Sequence, residues 1–510
     1  MRRLATGLTI WLALLTAAAA AKPRPWRLVR SRHFAVYTDG SASEARHVAG
    51  QMERLRQVFH EAFPSLRLAG AQPLEIIAVR NWSEFRAVEP ARFAQSSEKI
   101  AGVFERGQFR DFILLRLDAM DGPESLAPIY HEYTHYVFDR FRFPLPVWLN
   151  EGLAEFFQTT QIYNSSAAVG RVDPNHLQLL RHERLIPLTQ LFAVGFDSPD
   201  YHDQDQASIF YAESWALVHQ LMLRDYTQHT HLLRGYLQRL SQGGDADTIA
   251  AASFGNLDHL QKALQTYVRQ LNYRYVQLQL RVKISQQRFT LSPVAPLEAL
   301  ALQAEVMARG QRFAGAQALA RQVLLKDARN LQAEETLGFI AFSQHAYLRA
   351  RTWLARAVCD GAGGAQAPVL LAAASLRLTS GRLAPAPAAQ LAKNLHRALQ
   401  RRPDYAPGFD ILAQVEASQP ETLPAAVQAE ERAVALQPSE WVYRWNAAGM
   451  ALQGRHLHHA LHLFEQALSR ADTAERIERC RAELGLVQNA INIRAAQQQQ
   501  HRVRQAGGAP

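Results

Sequence analysis

Small residues seven positions apart recur at nearly constant intervals through the C-terminal part of this 510-residue chain. Ala316 and Val323 return as Ala350 and Ala357 after 34 residues, as Leu391 and Ala398 after 41, as Ala426 and Ala433 after 35, and as Ala460 and Ala467 after 34. The extra residues of the long step fall in the loop "DGAGGAQ" (Asp360–Gln366). Seven residues make two helical turns, so each pair marks one face on which an antiparallel helix packs closely. Pro403 and Pro438 each lie five residues past the second small residue and end that helix. From about Pro293 strand patterns vanish and alanine rises, so this half reads as repeated helix pairs.

The period, the paired alanines and the closing prolines resemble tetratricopeptide repeats. Phe464 falls at that family's usual aromatic position. Trp445 and Gly449 sit near its first-helix signature, one residue out of register, and Glu430 stands where an aromatic is usual. The resemblance implies an all-α tetratricopeptide-repeat solenoid over 291–490 that binds a protein substrate or partner. The low-complexity stretch 491–510 is expected to be a disordered tail.

Charge is uneven. Residues 22–300 are nearly neutral, at net +1, whereas 301–510 carry net +7. Between Arg349 and Arg402 stand nine basic residues and one acid, Asp360. Trp353 is the single aromatic residue among them, too few for interleaving, and no nucleic-acid motif accompanies them, so no nucleic-acid partner is expected. Two readings of the run remain: a docking surface for an acidic protein segment or anionic envelope component, or dispersed solvated arginines.

The first 21 residues read as a secretory signal, with Arg2 and Arg3 ahead of the apolar run Leu4–Thr16 and small residues at Ala17–Ala21. No later run is long enough to span a bilayer. The protein is therefore expected to be exported, periplasmic or secreted, without a transmembrane segment after signal removal. Cys359 and Cys480 are too few for a disulfide framework.

Residues 22–290 read as an α+β domain with its strands first. His33–Asp39 and Leu74–Arg80 have strand patterns and Ser43–Phe63 a helical one. Ile100–Gly107 and Asp111–Leu117 look like a hairpin, and helices follow to about Val282. After the hairpin, "SLAPIYHEYTHYVFDRF" (Ser125–Phe141) sets His131, Glu132 and His135 in an aromatic run. These are either satisfied core polar groups or the holders of a metal. Asp121 or Ser125 is expected to cap the helix, with Pro123 in its first turn. On a helix, imidazoles four apart leave the same face, a spacing that suits two nitrogens on one Zn²⁺. Glu132 can then reach a metal-bound water without being a ligand.

A third histidine six residues past His135 is excluded, because that position is Phe141. "LPVWLNEGLAEFF" (Leu145–Phe157) supplies a glutamate instead. Pro144 and Pro146 break the chain, and Trp148–Phe157 reads as a second helix that could fold Glu151 back on the metal. Glu155, one turn on, is placed to accept a hydrogen bond from a metal-bound imidazole.

"HEYTH" followed by "WLNEGLAEFF" resembles the gluzincin metallopeptidases, most of all the small peptidase-MA-like domains that often carry tetratricopeptide repeats. The resemblance implies a zincin-like fold, His131, His135 and Glu151 as ligands of Zn²⁺, and Glu132 as general base. The aminopeptidase amine-anchoring motif has no counterpart here. Related domains have a Tyr-x-x-Ser pattern like that of Tyr211 and Ser214 in "IFYAESWALVHQL" (Ile209–Leu221). Tyr211, expected to open an amphipathic helix, is the candidate oxyanion donor, and Ser214 and His219 are weaker candidates. An edge strand, Ile100–Gly107 or Asp111–Leu117, is expected to pair with substrate backbone. The histidines of "RHLHHALH" (Arg455–His462) lack a carboxylate and read as a solvated helix face. The expected function is thus an exported zinc metallopeptidase. The alternative is a non-catalytic envelope scaffold with a relic metallopeptidase domain.

Overall fold

Strands that are apolar on both faces need cover on both faces, and here that cover comes from helices far apart in the sequence. The computed structural model describes residues 25–506 apart from 65–71, 95–99, 106, 108–109, 121, 123–124, 139–142, 144, 196–197, 199–203, 243–245, 362–363, 439 and 472. The signal expected over 1–21 lies outside the described residues.

A six-stranded sheet runs in the order β4-β5-β3-β2-β1-β9. Its strands are β1 (Trp26–Arg30), β2 (Phe34–Thr38), β3 (Leu74–Val79), β4 (Gly102–Glu105), β5 (Phe112–Arg116) and β9 (Thr290–Val294). The β2–β3 and β3–β5 pairs are parallel, and the others antiparallel. Helix α1 (Ala42–Ala62) makes the β2–β3 crossover. Its start is fixed by a capping box in which Ser41 and Glu44 satisfy each other's backbone amides. Its buried Val48, Met52 and Leu55 join Val36, Ile76, Ile113 and Leu115 in the main core.

The opposite face buries Ile77, Val79 and Leu114. They are covered by the short α2 (Trp82–Val88) and by Leu302, Val306 and Met307 of α11 (Pro296–Arg309). Polar contacts reinforce that layer. Arg110, at the β4–β5 turn, bridges Glu75 of β3 and Glu305 of α11, the latter at 2.6 Å. Arg312 donates to the carbonyls of Arg86 and Ala87 at 2.7 and 3.0 Å.

Further helices of the first part are α3 (Ala127–Phe138), α4 (Val147–Gln158), α5 (Pro174–His182), α6 (Leu188–Ala193), α7 (Gln204–Gln228), α8 (Leu232–Ser241), α9 (Ala246–Phe254) and α10 (Leu257–Tyr267). A second sheet of β6 (Gln161–Ile162), β7 (Ser166–Val169) and β8 (Val276–Gln279) lies among them. The expectation of strands first and only helices to Val282 therefore needs correction. β6 was hidden because it is two residues long, and β9 because it is mostly exposed, so neither shows a burial pattern. β9 also straddles the 290/291 boundary expected from the sequence, and pairs with β1 from Thr290 to Val294.

Five helix pairs follow: α11 with α12 (Phe313–Lys326), α13 (Leu331–Ser343) with α14 (Tyr347–Cys359), α15 (Gln366–Leu378) with α16 (Pro385–Arg401), α17 (Ala406–Ala417) with α18 (Leu423–Leu436), and α19 (Trp441–Gln453) with α20 (Leu457–Leu468). The ten recurring small residues all lie on the second helix of their pair and all are buried. The repeats are antiparallel helical hairpins packed in succession. Helix α21 (Ala474–Ala506) closes the array. The tail expected to be disordered from 491 is thus helical through Ala506. Its Ala, Gln and Arg residues are good helix formers, so low complexity did not mean loss of helix. No helix among the described residues is long and apolar enough to cross a membrane.

Candidate metal centre

Helix α3 carries His131 and His135 one turn apart, and its apolar side, Ile129, Tyr133 and Val137, anchors it in the core. Ser125 is not the cap of this helix, which begins at Ala127. The Ser125 hydroxyl donates to the Gly122 carbonyl at 2.9 Å, while Asp121 and Pro123 lie outside the described residues. The break between the helices also falls partly outside them, at 139–142 and Pro144. Helix α4 then returns against α3, anchored by fully buried Trp148, Phe156 and Phe157. Its Gly152 sits where α7 comes closest: a Cβ there would be 2.5 Å from the Ser214 carbonyl oxygen and 2.6 Å from Val218 Cγ2.

The packing of α4 on α3 brings Glu151, the neighbour of Gly152, to the histidines. His131 Nε2 and His135 Nε2 are 3.1 Å apart, and Glu151 Oε2 lies 3.6 and 3.3 Å from them. A tetrahedral zinc with bonds of 2.0–2.1 Å has ligand–ligand edges of about 3.3–3.4 Å. The three atoms form a triangle of that size, and the donor set of two imidazoles and one carboxylate suits a catalytic metal. Among the described residues this trio is the one group of three or more His, Cys, Asp or Glu side chains with such convergence. The exposed histidines of α20 are not part of one; His462 Nε2 instead faces Gln466 at 2.8 Å.

Electrostatics bind the trio together. Burial works against charge on His131, yet the hydrogen bond with Glu151 and the carboxylates of Glu155, Glu151 and Glu132 outweigh it and raise its pKa. Burial likewise works against the Glu151 carboxylate, but the two imidazoles hold its pKa down to about 2. Glu155 Oε1 stands 3.4 Å from His131 Nδ1. When Nδ1–H donates there, the Nε2 lone pair points to the shared centre. Glu155 Oε2 accepts from His176 Nε2 of α5 at 2.8 Å and also from Gln158.

Glu132 is half-buried beside the pair of histidines. β4 ends the sheet order and runs along α3, with Phe104 5.4 Å from Tyr136, ring to ring. β5 lies between β4 and β3, so only β4 fits the expected edge strand. Glu105 on β4 is raised in pKa by burial, lowered by Arg92 and raised again by the charge of Glu132.

Tyr211 does not open its helix as expected; α7 starts two turns earlier, at Gln204. Its side chain lines a cavity of about 580 Å³ together with Glu155, His176 and His182. Ser214 is buried on the face of α7 that meets Gly152. His219 is fully buried and donates to Gly170 O at 2.7 Å, with Tyr267 OH 2.6 Å from its other ring nitrogen. It is a packing residue. His176 was missed by sequence reasoning. The one available signal was "DPNH" (Asp173–His176), a helix start with Asp173 as cap and Pro174 next, which places His176 in a first turn.

A family described as "Protein of unknown function (DUF1570)" matches residues 125–242, a span that contains the whole constellation from His131 to Tyr211. No curated protein matches the chain. Solved structures similar to it include YrrB, "a TPR protein with an unusual peptide-binding site" (14% identity, 36% of this chain and 90% of that one, TM-score 0.31). A thermophilic TPR protein of Thermus thermophilus is similar at 17% identity over 38% of this chain and 98% of its own, with TM-score 0.30. MamA of Desulfovibrio magneticus RS-1 matches at 15% identity over 34% and 94%, with TM-score 0.29.

Proposed function

We propose that this protein is an exported zinc metallopeptidase with a zincin-like catalytic domain of gluzincin type. The observation that carries this reading is the triangle of His131, His135 and Glu151 ligand atoms, 3.1, 3.3 and 3.6 Å on its edges. Zn²⁺ bound there would supply Lewis acidity toward a water and a scissile carbonyl. Glu132, next to a ligand but outside the converging trio, accepts the proton of the attacking water and hands it to the leaving amine. Tyr211 donates to the developing oxyanion. The outer edge of β4 pairs with the extended substrate backbone, which is thereby held along α3. Glu155 orients His131. The helical repeats bind a protein substrate or partner; nucleic acid is not a partner.

Metal analysis of the purified mature protein beside His135→Ala tests the site, and peptide-library cleavage by wild type beside Glu132→Gln tests the reaction. About one zinc per chain, lost in His135→Ala, with cleavage abolished in Glu132→Gln, is the expected result. A zinc-loaded wild type that cleaves nothing would leave the envelope-scaffold reading, which the long repeat array also supports.

A further inference from the structure

We propose that His176 is a positioning residue for the metal centre, acting through Glu155 on His131; the inference rests on the zinc reading above. The two oxygens of Glu155 have separate work. Oε1 faces His131 Nδ1 at 3.4 Å, and Oε2 accepts from His176 Nε2 at 2.8 Å and from Gln158. A carboxylate on a flexible stem fixes a buried imidazole only if its own rotation is fixed. Gln158 lies one turn along the same helix and moves with Glu155. His176 comes from a different element, so it ties the carboxylate to the surrounding frame.

That frame is firm. Asp173 accepts from the amides of Asn175 and His176, at 2.8 and 3.4 Å, and so fixes the first turn of α5. Leu177 and Leu180 bury the helix in the core. Thr159, just past α4, donates to the Arg171 carbonyl at 2.8 Å and ties the approach to α5 back to the end of α4. The His176 ring is 5.8 Å from the ring of fully buried Trp215 on α7. His176 therefore presents Nε2–H in a set direction. The chain of contacts runs from that N–H to Glu155, to His131 Nδ1–H, and leaves the His131 Nε2 lone pair aimed at the point shared with His135 and Glu151.

Zinc affinity by chelator competition, and the visible spectrum of the cobalt-substituted protein, test this. Both are measured on the full chain for wild type, His176→Ala and His176→Gln. The glutamine amide can donate from nearly the position of Nε2. His176→Ala is expected to weaken zinc about tenfold, the low end for outer partners of a metal ligand, and to shift the cobalt bands. His176→Gln should restore both within about threefold, which a purely structural role would not require. Unfolding in the presence of chelator checks the fold of each variant, and His176→Gln keeps the test open if the alanine variant fails to fold. Wild-type affinity and spectrum in His176→Ala would overturn this inference alone. A wild-type protein that takes up no metal would overturn both it and the zinc reading.

Discussion

Gly152→Ala tests the packing that holds Glu151 in place. The new Cβ would sit 2.5 Å from the Ser214 carbonyl oxygen and 2.6 Å from Val218 Cγ2. Val218 has rotamers to use, but Ser214 offers backbone in the middle of α7, which cannot turn aside. Restoring an ordinary contact from 2.5 to 3.4 Å needs about 0.9 Å of relative movement between α4 and α7. Glu151 is the next residue on α4, so its carboxylate moves by a similar amount. Metal bonds tolerate about 0.2 Å, which makes the displacement several times too large. The expected cost is about 1–3 kcal/mol of stability from overpacking and at least a ~100-fold loss of zinc affinity. By mass action, a free zinc concentration about 1,000 times the wild-type Kd adds about 4 kcal/mol to wild type but only about 1.4 kcal/mol to a variant weakened 100-fold. Denaturant unfolding with chelator and with buffered zinc reads both terms. Gly449→Ala is the control: nothing lies within 4 Å of a Cβ there, and the position is inside a helix. It should be neutral or stabilising by up to about 1 kcal/mol. Wild-type zinc stabilisation in Gly152→Ala would refute the claim that this contact sets the ligand geometry.

Two further outcomes concern buried titratable groups. Glu430 is fully enclosed in the solenoid, where burial and then the nearby Asp410 raise its pKa to about 10. The folded chain keeps a proton that the unfolded chain releases above 4.5. Stability should therefore fall as pH rises between 4.5 and 10, by up to about 1.4 kcal/mol per unit from this residue. Glu430→Gln should remove that slope in denaturant titrations at about pH 6, 7 and 8; an unaltered slope would count against it. His219 has the opposite sense. Burial lowers its pKa to about 4, so the unfolded chain takes up a proton below 6.5 that the folded one refuses. Stability should decline as pH falls from 6.5 toward 4, and His219→Gln should flatten that limb when acid unfolding is followed by circular dichroism.

The repeats were legible because close helix–helix contact demands small side chains, and that demand repeats with the period of the structure. Ala350 and Ala357 mark their face without help from any other part of the chain. Two members of the trio were legible for a similar reason, since His131 and His135 share a face through local helix geometry. Glu151 needed the guess that α4 folds back on α3, and Trp148, Phe156 and Phe157 supply the burial that makes it do so. What stayed hidden depends on distant partners. β9 is recognisable only beside β1, because its own side chains are largely exposed. Leu302, Val306 and Met307 look like any repeat-helix stripe, yet they cover the first sheet. His176 lies 21 residues from Glu155, and no spacing rule connects an outer tether to a ligand.

The partition of the chain into an α/β part and a repeat part has a practical limit at Thr290–Val294. A fragment cut at residue 290 would lose the strand that completes one margin of the sheet, and with it the helix that seals Ile77, Val79 and Leu114 from water. Arg110 would keep Glu75 but lose Glu305, at the turn that carries β4. The two parts share one packed layer: the first helix of the array covers the sheet whose edge strand, β4, flanks the helix of the two histidines.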